Sequence, residues 1–144
     1  MSDTTTLSAL GSNETKYNYD HPSPDLLERF ENEHHHSHYS INIVAPEFTS
    51  LCPKTGQPDY AMIEVDYVPN LYCVESKSFK LYLGSFRMHG EFHEDCTCRI
   101  MEDLIELLDP KHIRVTGHFK PRGGISFVPT AEWYHPEFEL LKTV

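Results

Sequence analysis

Cys52 and Asp59 lie seven positions apart in Phe48-Thr49-Ser50-Leu51-Cys52-Pro53-Lys54-Thr55-Gly56-Gln57-Pro58-Asp59. A thiol, a cation and a carboxylic acid are joined there by a loop whose Pro and Gly residues let the chain fold back. Cysteine is the strongest neutral-pH nucleophile among side chains because a few per cent is already thiolate. Lys54, or a helix N-terminus brought close by folding, would raise that fraction. A buried cysteine is more often a small hydrophobe, and Cys73, after Leu71-Tyr72, fits that description better than Cys52 does. Asp59 either caps a turn or exchanges a proton beside the thiol.

Two later segments supply complementary groups. Glu75-Ser76-Lys77-Ser78-Phe79-Lys80-Leu81-Tyr82-Leu83-Gly84-Ser85-Phe86-Arg87 places Lys77, Lys80, Gly84 and Arg87 at helical spacing, a local basic ridge suited to phosphate. In Phe92-His93-Glu94-Asp95-Cys96, Glu94 can accept two hydrogen bonds at once, matching a lactam N–H beside an exocyclic amine. His93 can hold a carbonyl oxygen or relay a proton. The plainer reading is a helix-capping acid beside a surface histidine. Nucleophile, acid, basic ridge and acceptor pair together imply covalent catalysis on a polar ligand with an anionic cofactor.

Metal chemistry has weaker support. His89, His93, Cys96 and Cys98 lie within ten residues, but their spacing matches neither C-x-x-C nor H-E-x-x-H. Two positions apart on a helix, Cys96 and Cys98 would point about 200° away from one another. The tract His34-His35-His36-Ser37-His38 reads as a solvated loop. No metal site is expected.

The elements that must position these groups follow from periodicity. Tyr39 to Val44 and Tyr60 to Val68 alternate as strands, so the Cys52 loop connects two extended segments. A helix capped by Ser76 or Ser78 runs to about Met88, and a second opens at Glu94 or Asp95 and stops at Asp109-Pro110. Ile113 to Lys120 alternates again, and Pro121-Arg122-Gly123-Gly124 turns the chain so that Ile125 to Val128 pairs back. The expected fold class is α+β: an antiparallel four-stranded sheet with two helices on one face. Such a sheet has two bare edges, which pairing between copies would close into a barrel. Residues 1–38 read as a partly ordered N-terminal extension, and residues 39–144 as the catalytic domain.

Composition narrows the partners. The chain has 144 residues and a formal net charge of −10, from 12 basic and 22 acidic residues. An acidic surface argues against nucleic acid or anionic lipid as the main partner. No run of about 18 apolar residues and no leader-like N-terminus is present, so the four cysteines are expected as free thiols in a reducing cytoplasm.

These segments resemble the 7-cyano-7-deazaguanine reductases, the NADPH-dependent nitrile reductases of queuosine biosynthesis, in their short single-domain form. The likeness is close in Glu47 to Asp59 and continues through Val74-Glu75-Ser76-Lys77-Ser78-Phe79-Lys80, His89-Gly90-Glu91-Phe92-His93-Glu94 and Pro121-Arg122-Gly123-Gly124-Ile125. It covers about residues 40–128. The order and spacing of the motifs, more than any one of them, make it specific.

The resemblance implies a tunnelling fold (T-fold), shared with GTP cyclohydrolase I and pterin enzymes, with sheets joined into a barrel between subunits of a homo-oligomer of stacked rings. It implies a thioimide on Cys52 with Asp59 as proton donor. Val74, Glu75, Ser76, His93 and Glu94 match the substrate pocket, and Lys77, Lys80 and Arg87 the motif associated with NADPH. No Rossmann glycine fingerprint is present, so NADPH must be held by other contacts. Cys96 is a candidate for a reversible disulfide that shields Cys52 from over-oxidation. The alternatives are a zinc-dependent cyclohydrolase of the same fold and a non-catalytic purine- or pterin-binding ring.

Overall fold

The computed structural model describes residues 2–8 and 17–143. Its backbone is a four-stranded antiparallel sheet in the order β2 (Ile41–Leu51), β3 (Pro58–Val68), β5 (His112–Phe119) and β6 (Thr130–Tyr134). A smaller pair, β1 (Arg29–Glu31) with β4 (Tyr72–Val74), stands apart from it. The helices α1 (Ser76–Gly84) and α2 (His93–Leu108) follow β4.

Alternation along the central strands sends Ala61, Ile63, Val65 and Tyr67 of β3, with Ile113, Val115 and Phe119 of β5, to one face. There they meet Cys96, Ile100, Leu104 and Leu108 of α2 and Phe79, Tyr82 and Leu83 of α1, so both helices cover the same side. Ile100 and Leu104 are fully buried, each contributing about 1.5–3 kcal/mol by removal from water. The opposite face is polar. Asn42 donates to Glu64 and Asp66, His118 pairs with Glu64 at 3.1 Å, and His112 and Arg114 share Glu132.

Several local expectations need correction. α1 is capped by Glu75, whose carboxylate accepts from the N–H groups of Lys77 and Ser78, not by Ser76 or Ser78. It ends at Gly84 rather than Met88, because the chain tightens into three-residue turns: Phe86 donates to Leu83 O, Arg87 to Gly84 O and His89 to Phe86 O. Arg87 therefore sits past the helix. The returning strand is Thr130–Tyr134, not Ile125–Val128. Gly123 and Gly124 at positive φ make a tight two-residue turn in which Arg122 and Ile125 exchange backbone hydrogen bonds, but the ladder beyond it is irregular and Pro129 brings no N–H to it. β2 runs on to Leu51 through a bulge between Ala45 and Phe48, where Pro46 interrupts the alternation. The β1–β4 pair escaped notice because three residues carry no readable period.

Residues 17–38, expected as an extension, are tied to the domain. Leu27 is in the core, Met88 N–H donates to Tyr19 O at 2.7 Å, and β1 pairs with β4. Residues 9–16 of that extension lie outside the described residues.

Gly117 fixes how α2 sits on the sheet. A Cβ there would come within 2.7 Å of both the Phe119 ring and Thr97 Oγ1 in the first turn of α2. Gly117→Ala should therefore destabilise the protein by about 1–3 kcal/mol through overpacking. A urea unfolding midpoint equal to that of the parent protein would contradict this account.

Candidate active site

The hairpin joining β2 to β3 brings the thiol to the acid. Ser50 pairs with Asp59 and Leu51 with Pro58 in the ladder, so Cys52 begins the connecting loop one step beyond the sheet. The loop closes on itself: Cys52 N–H donates to Gln57 O at 2.8 Å and Gly56 N–H to Cys52 O at 3.0 Å. Gly56 has φ +70°, a conformation side-chain-bearing residues rarely adopt. That curl turns the Thr55 hydroxyl and the N–H groups of Thr55 and Lys54 toward the sulfur. Together, led by the Thr55 hydroxyl, they lower the Cys52 thiol from its usual value to about 7, with a smaller contribution from Arg122. Lys54 thus acts through its backbone, and its side-chain position is exposed.

Asp59 is buried, 5% exposed, and doubly paired: Arg122 Nη2 lies 2.5 Å from Oδ1 and His93 Nε2 lies 3.2 Å from Oδ2. The His93 ring stacks on Phe119, centroids 3.9 Å apart and 7° from parallel. Its backbone carbonyl accepts from Thr97 Oγ1, so ring and helix head are positioned together. Cys52, Asp59, His93 and Glu94 line one cavity of about 220 Å³, walled also by Pro53, Phe92, Ile125 and Phe127. The Glu94 carboxylate has no hydrogen-bond or ion-pair partner among the described residues and is open to a ligand.

The remaining expected residues lie elsewhere in the chain. Val74 is buried in β4, its N–H bonded to the Tyr67 hydroxyl, and Glu75 is occupied as the cap of α1. Ser76, Lys80 and Arg87 line a second cavity of about 530 Å³ between α1 and the β2 edge. Tyr17 and Tyr19 close it, with the Lys80 ammonium 5.8 Å from the Tyr17 centroid and the Arg87 guanidinium 5.7 Å from that of Tyr19. Lys77 does not line it.

Some functional groups were missed or unassigned in the sequence. Arg122 was visible only as part of a turn motif, and Lys120 and Phe127 as strand residues; all three line the cavity of Cys52. Their signal was the glycine pair, which forces the chain back across the loop mouth. The proposed zinc set is not brought together: His93 pairs with Asp59, His89 with Glu91, Cys96 is buried and Cys98 exposed. No group of three or more His, Cys, Asp or Glu is arranged to hold a metal ion among the described residues. All four cysteines are free thiols. Burial pushes Cys96 up to about 12, with Glu91 adding to the effect.

A thiol, a buried acid–imidazole pair and an open carboxylate thus meet in one cavity at the end of an antiparallel sheet, an arrangement with the chemistry of an enzyme site. Residues 58–137 match the protein family described as QueF-like protein. The chain is 54% identical over 131 residues to the NADPH-dependent 7-cyano-7-deazaguanine reductase of Staphylococcus saprophyticus, covering 91% of this chain and 78% of that one. It is 55% identical over 130 residues to the enzyme of the same name from Staphylococcus aureus strain JH9, covering 90% and 78%. A solved structure, the archaeosine synthase QueF-Like in its apo form, superposes with TM-score 0.58 at 22% identity over 67% of this chain and 92% of that one, a likeness of fold. This chain belongs to the NADPH-dependent 7-cyano-7-deazaguanine reductase family.

The lowered thiol gives a direct expectation. Alkylation of Cys52 by iodoacetamide should rise with pH through a midpoint near 7, because the thiolate is the reactive form and is favoured above that value. Thr55→Val removes the leading donor, so the midpoint should move up and the rate at neutral pH fall several-fold. A midpoint indifferent to Thr55 would show that the hydroxyl does not set it.

Proposed function

We propose that this chain reduces the nitrile of 7-cyano-7-deazaguanine to the aminomethyl product, by way of a thioimide on Cys52, as a step of tRNA queuosine biosynthesis. The carrying observation is that Cys52, lowered to about 7, shares one small cavity with the Asp59–His93 pair and the open Glu94 carboxylate.

The Cys52 thiolate attacks the nitrile carbon, forming a C–S bond while one C–N π pair moves to nitrogen. A proton held between Asp59 and His93 is taken by that nitrogen, so no anion accumulates there. Glu94 receives the lactam N–H and exocyclic amine of the base, orienting the nitrile toward the sulfur. After the first reduction, collapse to the imine expels the thiolate, which the Thr55 hydroxyl and loop amides stabilise as leaving group. The imine takes a second hydride and a proton to become the primary amine. Phe92, Ile125, Phe127 and Pro53 supply apolar walls that exclude water, which would hydrolyse these intermediates.

NADPH, when bound, supplies the two hydrides, one molecule for each step. Its phosphates fit the chemistry of the second cavity, where Lys80 and Arg87 present cations beside the Ser76 hydroxyl. Lys77, one turn earlier on α1, extends that positive edge toward the helix start.

Val74, Glu75 and Ser76 do not share the cavity of Cys52 within one chain, which favours a site completed between subunits. Two observations support assembly as a T-fold ring of several copies, its sheets continuous as a barrel. The strands β2 and β6 are sheet edges, and Phe92, Ile125 and Phe127 are at least half exposed around the site mouth.

Intact-protein mass spectrometry after mixing with the nitrile, without NADPH, tests the covalent step. The parent protein should gain the mass of the substrate, Cys52→Ala should gain nothing, and Asp59→Asn should react slowly but detectably. An unmodified parent protein would refute the mechanism. Glu94→Gln should weaken substrate binding about 10- to 100-fold, as expected for loss of a charge-assisted pair, with a smaller effect on turnover of bound substrate. Equal affinity in a titration would remove Glu94 from its assigned role.

A further inference from the structure

The cavity holding Cys52 contains one carboxylate that the mechanism does not use. Glu91 lines it, with a side chain only 10% exposed. An unpaired negative charge on that wall would disfavour a thiolate opposite it. The other carboxylates are accounted for: Asp59 is matched by Arg122 and His93, and Glu94 is exposed at the site mouth.

Glu91 is matched from two turns along α2. Arg99 Nη2 donates to Oε1 at 2.7 Å, and Nε donates to Oε1 at 2.9 Å and Oε2 at 3.1 Å, a forked clamp. His89 Nε2 stands 3.5 Å from Oε2, and the Cys96 thiol donates to Oε2 at 3.8 Å. The backbone of the same segment is locked to the nucleophile loop. Leu51 N–H donates to His89 O at 3.0 Å and Glu91 N–H to Leu51 O at 3.1 Å, while a Cβ on Gly90 would lie 3.1 Å from Pro53 Cα.

We propose that Arg99 is a positioning residue for the nucleophile, clamping Glu91 so that this buried carboxylate is not left unpaired on the wall facing Cys52 and the loop stays seated on the head of α2. This rests on the reading of Cys52 as nucleophile. The pair is partly open to solvent on the arginine side, 45% exposed, so its worth to folding is small. Its effect belongs on the thiol.

The pH dependence of Cys52 alkylation, read by peptide mass, separates a charge role from a structural one. The other charged or titratable groups lining the cavity with Cys52 are Asp59 from β3, His93 and Glu94 from α2, and Lys120 and Arg122 from beyond β5. All are left intact. Arg99→Met should raise the midpoint by about one pH unit and slow nitrile adduct formation at pH 7 about fivefold, as the thiolate fraction falls. The double variant Glu91→Gln with Arg99→Met, which removes both charges, should return the midpoint to that of the parent. Glu91→Gln alone leaves Arg99 unmatched and should lower it. The proposal is overturned by an unchanged midpoint in Arg99→Met, or by a double variant displaced as far as the single one. Should Arg99→Met fail to fold, an unmoved or raised midpoint in Glu91→Gln overturns it equally. If the parent protein forms no nitrile adduct, the catalytic reading fails by itself, while the alkylation midpoints still decide the clamp.

Discussion

Two backbone hydrogen bonds, Leu51 N–H to His89 O and Glu91 N–H to Leu51 O, seam the end of β2 to the approach of α2. The chemistry hangs from that seam. On one side it carries Cys52 and the curled loop whose donors favour the thiolate; on the other it delivers His93 and Glu94 at the first turn of the helix. Gly90 lets the two segments approach closely within it, since a Cβ there would lie 3.1 Å from Pro53 Cα. Gly117, under Thr97, sets the height of the same helix head above β5. Two glycines thus hold the two halves of the site at a fixed approach, at positions where neither touches a ligand.

Charge balance is the second constraint. Three carboxylates line a cavity of about 220 Å³ in an acidic protein, beside a thiol lowered to about 7. Burying charge without a partner costs several kcal/mol. Asp59 and Glu91 are paired with arginines brought in from different elements, and Glu94 lies open at the mouth. The arrangement reconciles an acidic composition with a thiol that ionises near neutrality.

The sheet divides its labour by face and by edge. Its helix-covered side is a continuous apolar core, which gives the site a stiff floor in Phe119 beneath His93. Its other side is a lattice of histidine–carboxylate and arginine–carboxylate contacts. Among the described residues the edges β2 and β6 pair with no further strand beyond the Leu51–Gly90 bridge at the end of β2, and the apolar residues near the mouth lie exposed. The basic cavity along α1 and the thiol cavity are separate in one chain.

Period and residue type alone determined the α+β class and the strand–strand–helix–helix–strand–strand order of the main sheet and helices; Cys52, Asp59, His93 and Glu94 were candidates by type, and the fold puts them in one cavity. Alternation and helical spacing are local properties that survive into the core, and the hairpin loop carries its own turn signals. Boundaries were less legible. Tight turns after Gly84 depend on contacts with Tyr19 and on Ser85 bonding back to Tyr82, and the shift of the last strand to Thr130 depends on where Pro129 meets β5. The partners of the site were not legible either. That Lys54 serves through its amide, that Arg122 reaches Asp59 across 63 positions, and that Arg99 neutralises Glu91 are facts of three-dimensional proximity. A side chain's chemistry is written in its type, but its charge partner is whichever group the packed fold brings within a few ångströms.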